Sequence, residues 1–365
     1  MTVLIFIAVL VLLIVGHELG HFFVAKAVRM KVLEFGVGFP PKIFGKRFGK
    51  GETEYTLNWI PFGGFVRILG EDPKDADDPA AFSRKPALLQ ASVLFAGPFA
   101  NIVLAFVLFS SAFMFGAPTV LDALEGTENV RDQRVVVGHV LPASPAEESG
   151  VLAGDRIVAL SVGETVYTIT SPEQVGDLVT QGSRDEPISL ILLRQSEERT
   201  LRVTPVAGLI ADEPERVALG LATALVGTVS YPPHRAVVRA AGTTVDTTVF
   251  IAVSLFDLLK SAATLSADVS QIAGPVGIAS LTGEAARFGF GSLLSFAALL
   301  SINLGIINLF PFPALDGGRL LFLGIESIAR RKIPTRVAGA LNTFGFGLLI
   351  LLMLAVTVGD IGRIF

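Results

Sequence analysis

The segment His17-Glu18-Leu19-Gly20-His21 sets two imidazoles four residues apart with a carboxylate beside the first. On a helix, positions four apart lie one above the other, so His17 and His21 can turn ring nitrogens toward a single ion while Glu18 stands next to it. Zinc suits two imidazoles and a carboxylate, keeps one position for water, and lowers that water's pKa so that a nearby glutamate can take its proton. The segment lies inside an apolar run that begins at the first residue, where ionisable side chains are expensive and mark function. The bland alternative is a pair of satisfied core histidines on a buried helix.

A third ligand is legible far downstream. From Phe288 to Gly318 the only ionisable side chain is Asp316, which follows Pro311 and Pro313 and precedes Gly317-Gly318. The prolines remove backbone donors and stop a helix, so the chain around Asp316 is expected to be irregular, which a membrane permits only where protein or water surrounds it. An Asp-Gly turn at the surface is the competing reading. Two histidines still lacking a partner favour metal, and the expected zinc ligands are His17, His21 and Asp316. The chain contains no cysteine, which removes disulfides, thiolate zinc sites and cysteine nucleophiles from consideration.

The elements that must position these residues are mostly apolar. Hydrophobic residues make up 51% of the 365-residue chain and charged residues 17%, against about 25% charged in soluble domains. A polytopic α-helical membrane protein is expected, with about four transmembrane helices: Thr2 to Val28, Ala91 to Ala117, Leu293 to Phe310 and Val337 to Val358. The net charge of -4 and the lack of a basic, aromatic-interleaved patch argue against nucleic acid as a partner. Basic residues stay on the cytoplasmic side; the loop from Lys26 to Gln90 holds eleven Lys or Arg, and Arg319, Arg330, Arg331, Lys332 and Arg336 follow the third span. Both ends of the chain and residues 118–234, which lack lysine, are therefore expected outside the cell membrane.

Four regions follow from this division: an N-terminal membrane core over 1–117, an extracytoplasmic domain over 118–234, a linker over 235–290 and a C-terminal membrane core over 291–365. The outer domain reads as α+β, with strands over Arg134–Leu141, Arg156–Val162 and Ile188–Arg194 and a helix over Pro172–Gln181. Within it, Gly150 to Leu160 resembles the PDZ signature, a glycine turn before an Asp and a buried strand. The stretch from Arg235 to Thr264 carries Asp246, Asp257 and Lys260, which favours an interfacial helix over a crossing. Glu52 to Leu69 alternates through Tyr55, Leu57 and Trp59, reaches Gly63-Gly64, and continues as Phe65 to Leu69, the pattern of a β-hairpin with a glycine turn. Gly63 and Gly64 would let another backbone approach closely.

Taken together the chain resembles the site-2 proteases, the zinc intramembrane metalloproteases, and within them the bacterial regulator of sigma-E protease branch. The resemblance rests on His17 to His21, Gly97-Pro98-Phe99-Ala100-Asn101, the PDZ signature, Gly274-Pro275-Val276-Gly277-Ile278, and Asn308 through Gly317. It implies zinc on His17, His21 and Asp316, Glu18 as general base, Asn308 holding substrate backbone, and a membrane-reentrant hairpin whose edge at Gly63, Gly64 and Phe65 pairs with substrate. It further implies cleavage of single-span transmembrane proteins, already shortened by another protease, such as anti-sigma factors or signal-peptide remnants. With room for one PDZ domain, the chain departs from proteobacterial members that carry two. Two rival classes are a catalytically inactive PDZ-bearing membrane scaffold and an ion transporter using the buried His and Asp. One acidic residue at depth makes a sparse transporter.

Overall fold

A computed structural model of the chain describes residues 1–48, 53–71, 78–121, 129–181, 186–194, 197–209, 213, 215–263 and 274–364. Glu52 and Thr264, at the ends of two expected segments, lie outside them. In chain order, α1 (Thr2–Ala27) leads into two long strands, β1 (Val32–Arg47) and β2 (Glu54–Ile68), and then α2 (Ala87–Phe115). A strand-rich stretch follows: β3 (Ala117–Val120), β4 (Asn129–Val140), α3 (Pro145–Glu148), β5 (Arg156–Val162), β6 (Thr165–Thr168), α4 (Pro172–Gln181), β7 (Ile188–Arg194), β8 (Glu197–Val203) and β9 (Leu221–Ser230). The remainder is helical: α5 (Pro233–Ala263), α6 (Pro275–Arg287), α7 (Phe290–Leu309), α8 (Asp316–Ala329) and α9 (Thr335–Ile364). These elements form two compact units, residues 1–112 with 233–365, and residues 113–232.

In the first unit, five helices among the described residues are long and apolar enough to cross a membrane, within α1, α2, α5, α7 and α9. The protein is a polytopic membrane protein with β-strands. By length and composition α5 joins the expected four as a candidate span. Asp246, Asp257 and Lys260 suggested that α5 would lie on the surface, yet the run between Arg239 and Asp257 holds Asp246 as its one ionisable side chain, so length and composition qualify it. The chain around Asp316, expected to be irregular, is so only as far as Leu315: α8 starts at Asp316 itself and carries Arg319.

The strands of this unit also differ from the expected hairpin. Segment 34–37 of β1 lies between two parts of β2: Phe35 faces Val66 on one side and Tyr55 on the other, and Val37 faces Gly64 and Leu57. Residues 42–47 pair in turn with 54–58. The two halves of Glu52–Leu69 therefore flank a third segment instead of pairing with each other, and Gly64 is a ladder residue, not a turn. Segment 64–68 ends the sheet, with no strand among the described residues on its other side. Phe22 and Ala25 of α1, Phe35 and Ile68 of the sheet, and Val93 and Leu94 of α2 share one buried cluster, which fixes the sheet against the first two helices.

The second unit is a sheet in the order β3-β9-β4-β5-β7-β8, with β6 beside β5. Its expected strands and helix are present, and Val175 and Val179 of α4 pack on a core of Val135, Val137, Ile157, Leu160, Ile188, Leu190 and Leu192. Gly150 (φ 82°) and Gly154 (φ 92°) supply the left-handed turn residues before Asp155. Asp155, 2% exposed, accepts from Arg194 Nη2 at 2.7 Å and from the Leu152 amide at 2.9 Å. That hydrogen-bonded carboxylate pushes the Arg194 pKa above its ordinary value.

Candidate metal centre

His17 and His21 fall on the buried face of α1, at 8% and 9% exposure. His17 Nε2 lies 3.1 Å from Asp316 Oδ2, His21 Nε2 lies 3.2 Å from the same oxygen, and the two Nε2 atoms are 3.2 Å apart. Donors each about 2.0–2.1 Å from a tetrahedral zinc stand roughly 3.3 Å from one another, so this triangle fits zinc closely. The chemistry of the second nitrogens agrees. His21 Nδ1 is 2.7 Å from the Val93 carbonyl of α2, to which it can only donate, leaving the Nε2 lone pair for a metal. His17 Nδ1 lies 3.1 Å from the side-chain amide of Asn101.

Local backbone chemistry explains how Asp316 arrives here. Phe310, which precedes Pro311, is extended (φ -63°, ψ 137°), ending α7 as a pre-proline residue does. The chain reverses through Ala314, whose φ of 78° is unusual for a residue with a Cβ, and Leu315 is extended before α8 begins. Asp316 thereby sits at a helix N-terminus, where unpaired amides and the helix dipole favour a carboxylate. Gly317 and Gly318 follow because α8 starts pressed under the preceding loop: a methyl on Gly317 would overlap the Leu309 and Phe310 carbonyls, and one on Gly318 the Phe312 carbonyl. The expected irregular chain thus runs from Phe310 to Leu315 and stops one residue before the carboxylate.

The three donors open on a cavity of ≈ 580 Å³. Glu18, Asn308, Gly63, Gly64, Phe65 and Val66 also line it, so every expected site residue reaches the same space. Gly63 has φ 128°, which a glycine tolerates, and a methyl there would strike the Phe39 ring. A methyl on Gly64 would lie 3.0 Å from Ile14 and 3.1 Å from Glu18 Cγ, so the edge strand runs directly against the metal helix. Two residues without an expected role also belong here. Gly97 of α2 lets both imidazoles rest on its backbone, since a methyl would overlap His21 Nε2 and approach His17 Cε1 to 2.8 Å. Asn101 stands one turn further along α2. Both fall in the Gly97–Asn101 segment quoted above, which was the available signal.

Comparison with known proteins settles the family. The sequence profile of peptidase family M50 matches residues 5–352. The chain belongs to peptidase family M50. Among curated relatives, a Clostridium perfringens protein bearing a zinc metalloprotease name is 36% identical over 350 residues, covering 96% of this chain and 95% of its own length. The zinc metalloproteases RasP of Oceanobacillus iheyensis and Geobacillus kaustophilus are each 30% identical, over 452 and 438 aligned residues, and cover 100% and 99% of this chain and 99% and 97% of themselves. As an M50 peptidase, the site-2 protease family, the chain is a zinc metalloprotease. The convergence of His17, His21 and Asp316 is the place in its structure that fits the metal.

Proposed function

We propose that this chain is an intramembrane endopeptidase that cuts single-span membrane proteins which another protease has already shortened on the outer side. One observation carries the reading: the three metal donors, Glu18 and an unpaired strand edge share one cavity beside apolar helices. A helix shields its own amide bonds, so a transmembrane substrate must unwind before it is cut, and its freed N–H and C=O groups need partners. Segment 64–68 offers those partners along its free edge, and the Asn308 amide offers one donor pair and one acceptor. Exposed Phe39, Ile43, Phe44, Trp59 and Ile60 on the same sheet favour its association with lipid.

Zinc, when bound by His17, His21 and Asp316, supplies Lewis acidity that makes water nucleophilic near neutral pH and stabilises oxyanion charge. Glu18 takes the proton of the attacking water and hands it to the departing amine. Residues 118–234 are read as a PDZ domain on the extracytoplasmic side, with both chain termini on that side. The glycine turn, Asp155 and buried β5 support this, as does a cavity of ≈ 480 Å³ along α4, lined by Val175, Gly176, Val179, Leu219 and Leu221. That slot serves as a docking site or size filter for shortened substrates.

The test is cleavage of purified single-span proteins by the native chain and by Glu18→Gln, with metal measured on both. Turnover should fall about 10²–10⁴-fold, the usual contribution of a general base, while zinc stays near one per chain. Undiminished turnover by Glu18→Gln removes the base assignment. Native protein that holds no zinc would return the inactive scaffold as the better reading.

A further inference from the structure

Asn101 is wholly buried in an apolar helix, yet its amide makes a single contact, to His17 Nδ1. That contact is made by the amide nitrogen, and the oxygen, Oδ1, has no hydrogen-bond partner among the described residues. A leucine would fill such a place without an unpaired group, and buried polar atoms left unpaired are rare enough to require a reason. The backbone around Asn101 is held as tightly as its side chain. Ser301 of α7 donates to the Asn101 carbonyl at 2.8 Å, and Gly305 allows α7 to approach so closely that a methyl there would lie 3.3 Å from Asn101 Cβ.

We propose that Asn101 is a positioning residue for the metal: it orients the His17 ring and keeps its proton on Nδ1, so that Nε2 presents a lone pair. This rests on the zinc-site reading above. A neutral imidazole carries one N–H and one lone pair, and with Nε2 given to a metal the proton sits on Nδ1 and requires an acceptor. The Asn101 amide nitrogen stands 3.1 Å from Nδ1 and its oxygen is left over; a half-turn of the amide exchanges the two and makes the oxygen the acceptor for Nδ1–H. Val93 performs the same service for His21 with a backbone carbonyl, so α2 sets both histidines, one through main chain and one through side chain. Ser301 and Gly305 then tie that adjustment to α7, the helix that delivers the Asp316 loop. Partners of this kind typically change metal affinity about 10- to 100-fold when removed.

The experiment titrates metal-stripped, full-length protein with zinc against a chelator of known affinity. Asn101→Asp, which still accepts, should bind within about threefold of native protein, and Asn101→Leu, which cannot, should bind about 10- to 100-fold more weakly. Equal affinity of the leucine variant and native protein overturns the inference, as does equal loss in both variants. A second readout avoids any folding defect of the leucine variant. The chain has four histidines, and nitrogen-15 spectra of zinc-loaded native protein should show two rings protonated at Nδ1 and metal-bound at Nε2. A His17 ring bare at Nδ1 overturns the proposal. Native protein that binds no zinc sinks the metal site itself, a separate outcome.

Discussion

His17, Glu18 and His21 reveal their purpose within five residues because an i, i+4 pair on a helix needs no knowledge of the rest of the chain. Asp316 is legible as an isolated charge among apolar residues, but its meeting with His21 spans 295 positions and follows from packing alone. Gly97 is the opposite case. Its segment carries part of the family resemblance, but no local pattern ties it to a metal, and its contact with the two imidazoles appears only when α2 lies against them. Gly97→Ala should therefore lower zinc affinity by at least tenfold, within the range seen when ligand surroundings are disturbed, because the added methyl displaces the His21 ring. Metal content of the purified variant under dilute chelator is the check, and native occupancy would mean the rings can move aside.

Strands and helices were legible where one period dominated. The apolar runs of α1, α2, α7 and α9 and the strands β5 and β7 match their sequence patterns within a few residues. The sheet beside α1 was not, since the alternation in 54–69 fits a simple hairpin and gives no hint that 34–37, which lies just before Gly38 and Pro40-Pro41, slips between its halves. Helix α8 was hidden because a membrane loop was expected after two prolines, and the Asp-Gly-Gly that opens it also fits a turn. The edge of 64–68 carries the clearest expectation at this level. Gly64→Leu should push a branched side chain toward Ile14 and Glu18, abolish cleavage of a membrane substrate, and leave zinc binding close to native. Cleavage at the native rate would show that substrate does not lie along this strand.

At the level of the molecule, the number of crossings is set by α5. The positive-inside expectation puts residues 26–90 and 319–336 on one, cytoplasmic side, and that expectation requires an even number of crossings between them. Helices α2 and α7 satisfy this alone, whereas a full crossing by α5 as well makes the number odd. The expected arrangement is thus that α5, despite its length, does not traverse. A chain free of cysteine makes the measurement direct. A single cysteine at Phe288, before α7, should react with an impermeant reagent from the outside of intact cells, and one at Arg331 only after permeabilisation. Labelling of Phe288→Cys solely from the cytoplasm would give α5 a full crossing.

The last helix reaches into the chemistry from a distance. Asn342 of α9 accepts from the Ala314 amide at 3.2 Å, holding the residue of unusual φ two places before the carboxylate ligand, and Gly345 is so close to Pro313 that a side chain would meet its carbonyl. Inherited or engineered changes at these two positions, which resemble ordinary lipid-anchor sequence, will present as metalloenzyme defects. Surveys of variants that weigh only the zinc motifs would misfile them as harmless.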